Sequence, residues 1–100
     1  MASIIREVDH PWACLCWNCN GVDVENGSIR RYFQLCAPYI QHVHIHTLTE
    51  KGYPWEELFD LLKAADFRRF TMIETHYKGD DPVAFLKAQR AEWERLVGLG

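Results

Sequence analysis

Three short strand-like runs, each followed by a stretch of helical periodicity, leave this chain few ways to fold. The first run, Trp12-Ala13-Cys14-Leu15-Cys16-Trp17, is almost wholly apolar and is stopped by the turn residues Asn18-Cys19-Asn20-Gly21. The second, Gln41-His42-Val43-His44-Ile45-His46-Thr47, alternates strictly, so that Val43 and Ile45 share one face and His42, His44 and His46 the other. The third is Arg69-Phe70-Thr71-Met72-Ile73-Glu74-Thr75. Between and after them the apolar spacing turns helical. Ser28 is placed to cap a helix over Ile29 to Tyr39, and Pro54 suits the first position of another over Trp55 to Ala65. Asp80 or Asp81 caps a last helix that reaches Val97, with Pro82 in its first turn, and Ser3 to Asp9 reads as the tail of a helix.

No hairpin signal joins one strand to the next. Strands separated by helical segments run parallel, with right-handed crossovers. The expected fold class is therefore α/β, with three parallel strands alternating with helices, in one domain over residues 1–100. In such folds functional groups gather at the C-terminal ends of the strands. Parity places Cys14, Cys16 and Asn18 on one face of the first strand, and Met72, Glu74 and His76 on one face of the third. If Val43 and Ile45 pack on helices, these residues join His42, His44 and His46 on the opposite side, and Asn18, His44 and Glu74 meet near the strand ends. An imidazole, a carboxylate and an amide oxygen make an oxygen/nitrogen site suited to Mn²⁺, Mg²⁺, Co²⁺ or Zn²⁺. Each residue also has an ordinary structural role: Asn18 as turn chemistry with Asn20-Gly21, His44 as a hydrogen-bonded strand residue, Glu74 as an exposed carboxylate. The apolar run before Glu74 favours its burial, and Trp17 and Trp55 read as packing residues.

Composition narrows the function classes. The chain is 48% hydrophobic and 25% charged, which supports a packed core. A net charge of -3, with Arg30-Arg31 and Arg68-Arg69 as the only basic pairs, lacks the basic footprint of a nucleic-acid binder. No apolar run approaches the roughly 20 residues that span a bilayer. The first residues lack the apolar stretch of a secretory signal, which predicts a cytoplasmic protein. Cys14, Cys16 and Cys19 form a C-x-C-x-x-C cluster. A structural zinc site needs a second knuckle, and none follows, so buried free thiols are the expected state.

The ordered pieces resemble the C-terminal part of xylose isomerase-like TIM barrels, the sugar and sugar-phosphate isomerases and epimerases. The resemblance rests on the apolar strand ending in Trp17-Asn18, on His42-Val43-His44-Ile45-His46, and on the loop and helix that open with Glu50-Lys51-Gly52-Tyr53-Pro54-Trp55. Phe70 to Tyr77 and Gly79 to Leu96 complete it. It covers nearly the whole chain, at the sixth to eighth β-α units, and so implies a partial TIM barrel. It implies a divalent metal held by Asn18, His44 and Glu74, with Glu74 as the catalytic base of an enediol-type proton transfer on a sugar or sugar phosphate. The family carries Asp where this chain has Asn18, His where it has Gly21, and often Asp where it has Thr47; a further Glu ligand comes from a strand outside this chain. A His-x-His pair also occurs in amidohydrolase-type barrels, where it normally opens the barrel rather than sitting between two β-α units.

A closed barrel of this kind has eight strands, and three leave two edges unpaired. The expectation is a chain inactive as an isolated monomer, completed by a homo-oligomer or by the rest of a barrel. The alternative is a non-catalytic assembly or ligand-binding module descended from such a barrel.

Overall fold

The apolar runs become a small parallel sheet because their side chains find helices on one side only. A computed structural model describes residues 2–10 and 12–98. Its elements are α1 (Ala2–Val8), β1 (Leu15–Trp17), α2 (Arg30–Cys36), β2 (Ile40–Ile45), α3 (Trp55–Ala64), β3 (Thr71–Ile73) and α4 (Pro82–Val97). Single 3₁₀ turns at Gly21–Asp23 and Ala37–Tyr39 precede α2 and β2. The sheet order is β1-β2-β3, with both pairings parallel. The architecture is thus mixed α/β with three parallel strands, as expected. Among the described residues, no helix is long and apolar enough to cross a membrane.

The strands are shorter than their apolar runs. Trp12 opens the first run yet lies 87% exposed, and pairing begins only at Leu15. The alternation of the second strand holds from His42 to Ile45, but Ile40 is buried too, which breaks parity. A bulge accounts for this. Leu15 pairs with Ile40 while Cys16 pairs with His42, so Gln41 is the extra residue and the strand changes face there.

One face of the sheet contributes Leu15, Trp17, Val43 and Ile45 to the core. Against them lie Ile29 and Phe33 from the first crossover, Leu58, Phe59, Leu61 and Leu62 of α3, and Leu96 of α4. Trp17 meets Phe33 edge-on with ring centroids 5.4 Å apart, so it packs, as does the buried Trp55.

Polar side chains lock the helices in place. Glu57 of α3 takes the N-terminus of α2, accepting from the Ile29 N–H at 2.7 Å and the Ser28 hydroxyl at 2.8 Å. The Ser28 hydroxyl also accepts from the Arg30 N–H at 3.1 Å. Gln89 of α4 is buried; its carbonyl accepts from the Leu48 N–H at 2.6 Å and its amide donates to Thr49. Asp81 caps α4 by accepting from the Ala84 N–H, and Gly98 closes it in the left-handed region at φ 90°. Asn26 and Gly27, both at positive φ, reverse the chain between Glu25 and Ser28.

Candidate functional site

The opposite face of the sheet is uncovered. His42, Cys16 and Met72 are exposed there, and His44 is partly so. Register explains the row: Cys16 pairs with His42, and His44 with Met72, so these side chains point away from the helices. Beyond the last paired residue of β3, the Glu74 N–H still donates to the Ile45 carbonyl at 2.7 Å, which extends the ladder by one step. That step keeps Glu74 on the same face as Met72 and aims its carboxylate across at β2.

There Glu74 meets His44. Oε2 lies 3.2 Å from His44 Nδ1, with the side chains 66% and 28% exposed respectively. The sequence suggests burial for Glu74, but the sheet edge leaves it open to solvent. Its backbone is nevertheless fixed. Its carbonyl faces His46 Nδ1 at 2.9 Å, and the neighbouring Thr75 hydroxyl meets that of Thr47 at 2.7 Å. His46 therefore serves as a clasp between the loops after β2 and β3, with its ring edge-on to Trp55.

Asn18 lies one residue beyond β1 and is exposed. Its amide oxygen accepts from the Cys16 thiol at 3.4 Å. Burial raises the pKa of Cys16, and the Glu74 carboxylate raises it further. The thiol thus stays protonated and available to donate to Asn18. Of the residues expected at the site, His44 and Glu74 are in direct contact, while Asn18 is engaged with Cys16. Cys16, His46 and the Thr47–Thr75 pair lie outside the site the sequence points to; the parity of Cys16 with Asn18 is the one signal for any of them.

The donor set bears on a divalent metal. Among the described residues, no group of three or more His, Cys, Asp and Glu side chains is arranged to hold one. His44 and Glu74 are two donors, and the Asn18 amide is a weak third. These residues alone do not fit a closed metal site.

All four cysteines are free: Cys19 is buried, Cys14 and Cys36 are partly buried and Cys16 is exposed, so the expectation of buried thiols holds fully only for Cys19. Cys19 adopts the left-handed region at φ 57° and carries its thiol into the core side. There the Trp17 indole donates to the Tyr53 hydroxyl at 3.0 Å, beside the Cys19 thiol. Burial pushes the Cys19 thiol from 9.0 up to about 12 and raises Tyr53 as well. The unfolded thiol therefore loses its proton at a lower pH than the folded one. Stability is full below about pH 9 and falls as pH rises towards 12. Urea unfolding is expected to show a loss of about 1–2 kcal/mol between about pH 8 and about pH 10. A Cys19→Ala chain should lose most of that slope; an unchanged slope would assign it to other groups.

No protein-family model, curated protein or solved structure matches this chain.

Proposed function

We propose that the chain is the portion of a metal-dependent sugar or sugar-phosphate isomerase or epimerase that carries His44 and Glu74, working only when further strands complete the sheet. The observation behind this reading is the His44–Glu74 contact at 3.2 Å, on the helix-free face and at the C-terminal end of parallel strands. A carboxylate held there can take a proton from the carbon beside a carbonyl and return it to the neighbouring carbon, which is the exchange an enediol path requires. His44 steadies that carboxylate by donating from Nδ1, which leaves Nε2 to accept from a substrate hydroxyl. Glu74 is the proposed base, with Asn18 as a hydrogen-bonding neighbour. A divalent metal, Mn²⁺, Mg²⁺, Co²⁺ or Zn²⁺, would be held weakly by His44 and Glu74 alone and fully only with donors brought by another polypeptide, and it would supply polarisation of substrate oxygens.

A second reading is favoured by the donor set itself. Two donors and an amide in place of a carboxylate suit a non-catalytic assembly or ligand-binding module as well as an enzyme.

Mn²⁺ titration followed by paramagnetic broadening in NMR spectra separates the two. The catalytic reading expects selective broadening at His44 and Glu74 even when binding is weak, and at least tenfold weaker binding after His44→Ala. Equal binding by the parent and His44→Ala, or broadening confined to Asp80 and Asp81, would sink the site.

A further inference from the structure

The free edge of β3 and the groove beside it point to a specific partner. In a parallel ladder, alternate residues turn their N–H and C=O groups to opposite sides of the strand. The Glu74 N–H faces β2, so Met72 and Glu74 serve the internal ladder, and Thr71 and Ile73 present theirs to the free edge. Under that edge lies an open apolar groove of about 630 Å³, walled by Phe59 and Leu62 of α3, Leu86 and Trp93 of α4, and by Phe70 and Ile73. Phe70 is 82% exposed at its lip. The helix α4 that follows β3 thus stands over room for another strand.

The chain itself supplies a strand of the right polarity. β1 is the other edge of the same sheet, and all three strands run parallel. A β1 from a second copy can therefore lie beside β3 without reversing direction, beneath α4. Charge supports this occupant. The ionisable residues lining the groove are Lys63, Arg69 and Arg90, all cationic. Arg69 stands two residues before β3. The segment leading into β1 carries Glu7 and Asp9, and Asp9 shares a surface hollow with Ala13, two residues before Leu15. Arg6 and His10 line the same hollow, so the segment from Arg6 to His10 carries one net negative charge against the cationic groove. Parallel docking brings these two strand entries together.

We infer that this chain self-associates head to tail, the β3 edge and α4 groove of one copy receiving β1 of the next. The inference rests on the reading above that the sheet is completed by further strands. Such a heterologous contact leaves one end of each copy open, so assembly continues to a ring or a chain.

Sedimentation velocity over a concentration series tests it with the full chain. The parent is expected to rise above the 11.7 kDa of one chain. Ile73→Pro removes an edge N–H that the internal ladder does not use, and edge strands tolerate proline. Leu86→Glu charges the exposed lip of the groove. Each should weaken association at least tenfold while far-UV circular dichroism stays unchanged, as should a Glu7→Lys/Asp9→Lys chain. Mixing Ile73→Pro with Glu7→Lys/Asp9→Lys should restore a 1:1 dimer, because each retains one working end. A parent that stays monomeric overturns the inference, as does an Ile73→Pro or Leu86→Glu chain that associates like the parent. A Glu7→Lys/Asp9→Lys chain that associates normally, or a mixture that stays monomeric, overturns the assignment of β1. Mn²⁺ broadening at His44 and Glu74 is read equally in the Ile73→Pro chain, whose substitution lies at the β3 edge rather than on the His44–Glu74 face, so association and the site fail independently.

Discussion

Leu58→Ala is expected to destabilise the fold by about 3 kcal/mol, read as a lower urea midpoint at unchanged slope. Leu58 is fully buried beside Ile29 and Val43, which are equally inaccessible, at the centre of the cluster that joins α3 to the sheet. Truncation removes the transfer free energy of its methyl groups and leaves a cavity that three elements border. A domain of this size has roughly 5–15 kcal/mol in total, so the loss is a large fraction. A change below about 1 kcal/mol would mean that α3 does not pack on the sheet through this residue.

Glu57→Ala should cost about 2–3 kcal/mol, the second largest effect. The carboxylate accepts from the Ile29 N–H at 2.7 Å and from the Ser28 hydroxyl at 2.8 Å, so one side chain ties the start of α2 to α3. Its removal leaves a backbone donor at a fully buried residue without its partner. Ser28→Ala is the informative control. It keeps the bond to Ile29 and should cost about 1 kcal/mol or less. Equal losses in the two variants would contradict the assignment of the dominant bond to the Ile29 N–H.

The alternation of Val43, His44 and Ile45 was enough to orient the middle strand, because only one of its faces is covered. The helix spacing of Leu58, Phe59, Leu61 and Leu62 marked α3 for the same reason, and Asp81 with Pro82 marked the start of α4. Period and cap chemistry are local, and they survive packing. Strand length is not local. Trp12 and Phe70 belong to apolar runs, yet both are exposed, because pairing and helix cover end before the runs do. The bulge at Gln41 depends on how Leu15 and Cys16 meet their neighbours, which no single run encodes. Glu57 reaching Ser28 across 29 residues is likewise a tertiary event.

The candidate site divides along the same line. Parity and position brought His44 and Glu74 to one face. The exposure of Glu74, the clasp by His46 and the engagement of Asn18 with Cys16 follow from an edge strand and from loops that meet only in the folded chain.

Cross-strand NOEs in solution test the central claim most directly, since everything about the site depends on β3 lying parallel to β2 in one register. Contacts are expected between Val43 and Thr71, His44 and Met72, and Ile45 and Ile73, together with contacts from the His44 ring to the Glu74 side chain. An antiparallel pattern, or a His44 ring in contact with Leu58 rather than Glu74, would contradict it.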